Sequence, residues 1–511
     1  MALLDGELDN FALKVLGTLL ACILYPISYA IYNIYLHPLA KYPGSKIWTA
    51  TRFRYVLSVW SGWLHTDVQD LHRRYGDIVR IAPDEISFAK PDAYNDIYSN
   101  APGRPAFPKS KLWHGAAPGR PHSILNALDP RVHARFRKAM DPGFTEKALR
   151  QQEPVMQKHV ALLIRRLNEI ASQDSNGATV NIVQWFAFVA FDLVGDLGFG
   201  EPFGCLESGE LHPWIAMIFN SLRAATHRAS LRYYPSLSWV FGLTIPKSVM
   251  QQQMTHWKNA VDKINRRLNQ EQERPDLISM IKRDDEGVKG LTLPELHATA
   301  SILIVAGSET TVSVLSGTTN HLVKNPDKLA VLTKEIRSAF SRETDMSLSA
   351  LKELPYLGAV VQEGLRLCNP TPVGAPRIVP PEGGSVVGEW LPANTFVNVH
   401  PLALSRSPKM FHDPEAFLPE RWLGTDPVFA KDQHQAMQAF LVGPRSCIGR
   451  PLALAELRLI LARLVWRFDL READTVDGKL DWNSQRTFSV VERRPFDVRL
   501  QVRSGASPLD G

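Results

Sequence analysis

Cys447 stands in the stretch "FLVGPRSCIG", residues 440–449, with Arg445 before it and Gly449 after it. Gly443 and Gly449 permit a sharp loop, and Phe440 can pack beneath a planar group. The next run, "RPLALAELRLILARLVWRF", has helical periodicity with Pro451 near its start, so a helix N-terminus faces the cysteine. Positive dipole, backbone N–H groups and the Arg445 guanidinium all favour a thiolate, which serves either as a nucleophile or as a metal ligand. A nucleophile needs a histidine base that only tertiary structure can place, whereas a ligand needs only the loop.

A second stretch, "LHATASILIVAGSETTVSVLSGTTNHLVKNP" at 296–326, reads as a long central helix stopped by Asn325-Pro326. Glu309 in mid-run argues against a membrane span, since a charge at bilayer depth costs several kcal/mol. Ala306-Gly307 is the small-residue step at which a flat object would lie against the backbone. Thr310, bonding back to the carbonyl of residue 306, would open a notch for a small polar ligand. Glu363 and Arg366 lie three apart on one helical face; an isolated pair of this kind is a solvated salt bridge, but here Val360, Val361, Leu365 and Leu367 surround it. His133 and Arg137, four apart in "HARFRKAMDPGF", likewise share a face.

These residues must be positioned by a body of 511 residues with 45% hydrophobic and 22% charged content, a globular composition large enough for an extensive core. Helical periodicity marks 155–171 and 251–273, and 181–199 is apolar throughout; "GDIVRIAPDEISFA" at 76–89 breaks at turns as strands do. The expectation is one mainly α domain with a minor β-sheet. Four cysteines without regular spacing exclude a disulfide framework and a zinc site. The net charge of +6 is spread over the chain without a basic stripe and stacking aromatics, which excludes nucleic-acid binding. From Val15 to Leu36 no Asp, Glu, Lys or Arg occurs, a length that at 1.5 Å per residue crosses a hydrocarbon core of about 30 Å. Asp5, Glu7 and Asp9 precede this run, as does Lys14, and Lys41, Lys46, Arg52 and Arg54 follow it, so the positive-inside rule puts the body in the cytosol. The expected organisation is a lumenal 1–14, a transmembrane anchor at 15–36, a proline-set linker at 37–50 and a catalytic domain at 51–511.

The pattern F-x-x-G-x-R-x-C-x-G, present as Phe440, Gly443, Arg445, Cys447 and Gly449, resembles the haem-binding loop of the cytochromes P450. "EGLR" is similar to that family's ExxR pair, "PERW" carries Arg421 where its partner arginine lies, and "AGSETT" resembles its oxygen-binding helix motif. The resemblance covers essentially the whole chain, anchor included, and implies the cytochrome P450 fold. Within the family the motifs look most like fungal enzymes of secondary metabolism, including the group that hydroxylates trichothecene precursors. "CNPTPVG" departs from the family at Cys368 and Asn369, where an aromatic or proline is common.

The resemblance implies haem b with Cys447 as axial ligand to iron. It implies propionate contacts from His133, Arg137, Arg445 and Arg377, and a structural network of Glu363, Arg366 and Arg421. It assigns proton delivery to iron-bound oxygen to Glu309 and Thr310. Such an enzyme inserts oxygen from dioxygen into a lipophilic small molecule, through hydroxylation, epoxidation or multistep oxidation. No G-x-G-x-x-G fingerprint appears, so electrons come from outside: the resemblance implies an NADPH-dependent cytochrome P450 reductase, with cytochrome b5 a second donor, on the endoplasmic reticulum membrane. Arg131, Arg135, Lys138 and Arg450 would form the basic docking face. Expected substrate walls are the loop 101–125, Ile304, Val305 and Thr311, the strand after Pro372 and the turn near Phe488. The alternatives are a haem-thiolate isomerase or dehydratase that needs no external electrons, and a membrane-tethered binding protein.

Overall fold

In the computed structural model the described residues are 2–116, 119–174, 176–235, 247–270, 276–284 and 289–504. The helices that matter to the site are, in chain order, α1 (Ala2–Ile31), α2 (Pro130–Met140), α3 (Glu146–Ala171), α4 (Ile182–Phe199), α5 (Pro213–Leu231), α6 (Lys247–Leu268), α7 (Leu293–Lys324), α8 (Pro355–Leu367) and α9 (Arg450–Arg467). The strands that bear on the argument are β1 (Ile78–Ala82), β2 (Glu85–Phe88), β3 (Ala178–Asn181), β4 (Arg377–Ile378), β5 (Phe396–Val399), β6 (Phe468–Glu472), β7 (Arg486–Phe488), β8 (Val490–Glu492) and β9 (Asp497–Val502). The protein is thus mainly helical with small sheets, as expected.

Helix α4 is buried on almost every face, which its continuous apolar sequence requires. It packs along α7, the central helix, and α3, α8 and α9 complete the same core. Helix α7 begins three residues earlier than its apolar run, because Thr292 and Glu295 form a capping box: the Thr292 side chain accepts from the Glu295 amide and the Glu295 carboxylate accepts from the Thr292 amide. Helix α6 ends at Leu268, and residues 271–273 of its expected span lie outside the described residues.

A four-stranded sheet in the order β1-β2-β5-β4 carries a second core, with β2 and β5 parallel and the other pairs antiparallel. Arg377 stands opposite Val397 in that sheet, so its side chain is aimed by the register rather than by a loop. Strands β3, β9 and β6 form a three-stranded sheet, and β7–β8 is a tight hairpin turning at Ser489. Helix α1 and the turn after it contain a stretch, Leu13–Leu36, long and apolar enough to span a membrane; it is exposed along most of its length, and Asn33 near its end is buried against the body. Ile182–Phe199 and Leu293–Lys324 meet the same length and composition test but are mostly buried within the protein. The expected linker at 37–50 is only partly a loop. Leu39 and Tyr42 are buried in the core of the four-stranded sheet, and Lys46–Ala50 is a short helix, so this segment is packed onto the body.

Candidate active site

Three elements hold the loop of Cys447. Gly443 takes φ +77°, and a Cβ there would lie 2.0 Å from the Tyr98 carbonyl oxygen, so only glycine lets the loop touch the Tyr98 backbone. Arg445 donates to the carbonyls of Ala127 and Leu128, both at 2.8 Å, just before α2. Arg137, on α2, donates to the Ser446 carbonyl at 2.5 Å and to Asp141 at 3.0 Å. The Cys447 amide returns to the Phe440 carbonyl at 2.8 Å, which closes the loop beneath the sulfur.

The dipole and arginine contributions expected for Cys447 are present, but they do not win alone. Burial raises the thiol, and the Gly449 and Arg450 amides and the Arg137 guanidinium pull it partly back. Arg445, expected to act on the sulfur, is turned instead toward Ala127 and Leu128. A metal cation is the natural counterpart for a sulfur so placed. Cys205 and Cys368 differ: both are buried, and burial pushes their thiols up to about 11 and about 12. Cys447, by contrast, remains accessible: the surrounding protein crowds its sulfur enough to raise the thiol but does not cover it.

Beside the loop lies a cluster of cations. His133 is buried, and desolvation together with Arg445, Lys109, Arg137 and Arg377 lowers it to about 3. Arg377 is lowered to about 10, by burial first and by Arg445 in part, and its ring neighbour Tyr98 sits 5.0 Å below the guanidinium. The Nε and Nη1 of Arg377 are buried without a hydrogen-bond partner among the described residues, as is Nδ1 of His114. Burial, Arg377 and Arg445 also depress Lys109, whose ammonium donates to the Leu125 carbonyl at 2.7 Å. Mutually depressed cations around orphaned donors call for an anion with several acceptor oxygens. The two propionates of haem fit that demand, and Cys447 fits the metal. Of the residues singled out in the sequence, His133, Arg137, Arg445 and Arg377 are brought together here; Lys109 and His114 join them from the loop 101–125, which was expected as a substrate wall and not as part of a cation cluster. Residues 117 and 118 of that loop lie outside the described residues.

On α7, Thr310 Oγ1 donates to the Ala306 carbonyl at 2.7 Å, as its position predicts. The small-residue step works differently from the expectation. A Cβ on Gly307 would lie 3.0 Å from Val194, so Gly307 serves the close approach of α4, while Ala306 is exposed on the Thr310 side. Thr311, an expected wall, is buried: its hydroxyl lies 3.0 Å from the Gly307 carbonyl and 3.1 Å from Glu456 Oε2, which ties α7 to α9. Ile304 is likewise core. Glu456 is fully buried, and burial pushes its carboxyl up to about 8. The Thr311 hydroxyl, shared between the Gly307 carbonyl and Glu456 Oε2, donates to the carboxyl and pulls it partly back from that rise. This bond ties α7, one residue past Thr310, to the first turns of α9, which follows the loop of Cys447.

Glu309 points to the other side. Arg493, between β8 and β9, donates to its Oε2 at 2.6 Å, to its backbone carbonyl at 2.9 Å and to Ser313 at 3.0 Å. Burial raises the Glu309 carboxyl and Arg493 lowers it, the rise prevailing. Nothing in the sequence singled out Arg493 or Glu456, because both partners are remote in the chain.

Behind the loop, Glu363 receives Arg366 at 2.7 and 2.8 Å, Arg421 at 3.2 Å, the Leu418 amide at 2.9 Å and the Trp422 indole at 2.9 Å. Arg366 also donates to the carbonyls of Ser405, Pro414 and Ala416, and Arg421 to Asp432. Burial opposes the Glu363 charge, but Arg366 and Arg421 outweigh it and hold the carboxyl below its usual range. Asp432 and Trp422 extend the expected triad. Of the expected docking cations, Arg131, Lys138 and Arg450 are exposed, whereas Arg135 is engaged with Glu295 at 2.5 Å and with the Gly290 carbonyl.

The family model "Cytochrome P450" matches residues 48–497. The chain is 40% identical over 509 residues to the cytochrome P450 monooxygenase atr2 of Stereocaulon alpinum, covering 98% of this chain and 99% of that protein. It is 38% identical over 494 residues to the cytochrome P450 monooxygenase efuB of Hormonema carpetanum, covering 96% and 97%. It is 38% identical over 487 residues to an averantin hydroxylase of Dothistroma septosporum, covering 95% and 90%.

Proposed function

The chain belongs to the cytochrome P450 family of monooxygenases, and on that premise we propose that it is a membrane-anchored enzyme oxidising a lipophilic intermediate of fungal secondary metabolism, with electrons from an NADPH-dependent cytochrome P450 reductase. The reading rests above all on one observation: the exposed thiol of Cys447 shares its loop with Arg445, a member of the uncompensated cation cluster of Lys109, Arg377 and Arg445. Haem bound there supplies dioxygen activation and oxygen insertion.

The chain's own residues do the rest. Cys447 ligates the iron. Arg377, Arg445, His133 and Arg137 hold the propionates, with Lys109 and His114 beside them. Phe440 lies at the start of the cysteine loop and packs against the ring. Glu363, Arg366 and Arg421 keep the wall behind the loop rigid. Thr310 spends its proton on Ala306, so its oxygen accepts hydrogen bonds in the notch. Glu309, its chain neighbour, is the carboxyl through which protons reach the notch. This acid and hydroxyl pair favours the monooxygenase over an isomerase, which has no proton delivery to perform.

Leu13–Leu36 anchors the protein in the endoplasmic reticulum membrane with the body on the cytosolic side, where Arg131, Lys138 and Arg450 face the reductase, and cytochrome b5 as a second donor. The test is expression with a reductase. The ferrous carbonyl adduct must show the red-shifted band of a thiolate ligand, and incubation with candidate metabolites must give products heavier by one oxygen. A Cys447→Ser protein that retains both would overturn the reading.

A further inference from the structure

A cavity of about 440 Å³ lies between α5, α6, the β7–β8 hairpin and Glu309 of α7. Leu222, Ala224, Phe488, Val490 and Val491 give it apolar walls. Three of the polar atoms bordering it are buried without a hydrogen-bond partner among the described residues: Glu309 Oε1, Gln252 Oε1 and His227 Nε2. They come from three different helices. An orphaned buried acceptor costs on the order of 1–3 kcal/mol, so three at one cavity mark a place where something else completes them.

All three are acceptors. Oxygens of an amide and of an arginine-paired carboxylate accept by nature. His227 is lowered by burial and by Arg223, so it is neutral, and its bond to the Trp60 backbone places the ring proton on the other nitrogen. Its Nε2 therefore carries a lone pair. The charges around the cavity are already matched: Arg493 pairs with Glu309 at 2.6 Å, and Arg223 lies 3.9 Å from Glu492 at the exposed rim. An anion would meet three acceptors and a cation two arginines, so the occupant is neutral. A single donor would leave two acceptors orphaned.

We infer that this cavity is a recognition site for the hydroxyl-bearing end of the substrate, a neutral lipophilic molecule with at least two O–H groups, held by Glu309, Gln252 and His227. The inference rests on the monooxygenase reading above, which supplies a lipophilic substrate, and the cavity borders the central helix α7 at Glu309.

The test is calorimetric titration of the haem-loaded enzyme with naphthoresorcinol, a naphthalene diol, and with its dimethyl ether. The diol should bind at least about tenfold more tightly. His227→Phe, which keeps the ring packing against Trp60 and Phe488, and Gln252→Leu should each remove most of that preference and leave the affinity for the ether unchanged. Equal affinities, no binding of the diol, or variants that keep the full preference would overturn the inference and leave the cavity to water. Gln252 is half-exposed, so Gln252→Leu decides even where His227→Phe fails to fold. A failure of the monooxygenase reading would show separately, as a missing thiolate band in the ferrous carbonyl spectrum of the same samples.

Discussion

Thr310 and Gly443 are where single atoms decide function. The Thr310 hydroxyl already bridges to Ala306, so Thr310→Ala removes the hydroxyl that the proposed mechanism places on the proton path, while leaving the fold intact. The expected outcome is roughly tenfold more dioxygen consumed per product, in line with the smaller contributions of positioned acid–base groups. Oxygen-electrode traces set against product quantified by mass analysis would show it, and an unchanged ratio would remove Thr310 from the mechanism. Gly443→Ala forces a Cβ into the Tyr98 carbonyl at a φ that L residues disfavour. A loss of about 2 kcal/mol or more is expected, read as a lower unfolding midpoint together with faster haem release. A variant that retains both would show that the loop can move away from Tyr98. At this scale the pattern around Cys447 was legible because covalent spacing alone defines it. The duty of Gly307 was not, since sequence cannot show that Val194 stands opposite.

Helices α7 and α9 meet through Thr311 and Glu456, and this contact has a pH signature. The Glu456 carboxyl is raised to about 8 in the folded protein by burial and lies near 4.3 when unfolded. Between those values the folded state binds more protons than the unfolded one, so the stabilisation is complete below the unfolded value and is lost as pH rises toward about 8. Thermal unfolding midpoints from about pH 5 to about pH 9 should fall more steeply for the native protein than for Glu456→Gln, whose amide does not titrate. Identical slopes would mean that the acid reaches solvent. Glu363 has the opposite sign: its depressed carboxyl stabilises the fold above the unfolded value and ceases to do so only as pH falls below it. The helix bearing Glu363 and Arg366 was readable from three-residue spacing amid apolar neighbours. Asp432 and Trp422, which share the load, come from loops whose sequence carries no period.

The whole molecule joins an exposed apolar helix to a body whose own apolar helices are turned inward. Deleting residues 1–31 should move the protein from the membrane pellet to the supernatant with its carbonyl-binding spectrum intact, because packing of the body begins with Asn33, which donates to the Ala50 carbonyl and accepts from Arg80. Continued sedimentation with membranes would mean that other surfaces hold the bilayer.

By itself the sequence determined the N-terminal apolar helix, the mainly helical class, the cysteine loop and the paired ExxR residues. Each of these is written in composition, period or short spacing, which the covalent chain preserves. Only the tertiary structure decided that Arg493 restrains Glu309, that Glu456 stands behind Thr311, that Lys109 and His114 join the cation cluster, and that His227 and Gln252 open on one cavity. Those pairings join segments more than a hundred residues apart in most cases, or depend on burial. Both arise only when the core closes and water is expelled from between the elements.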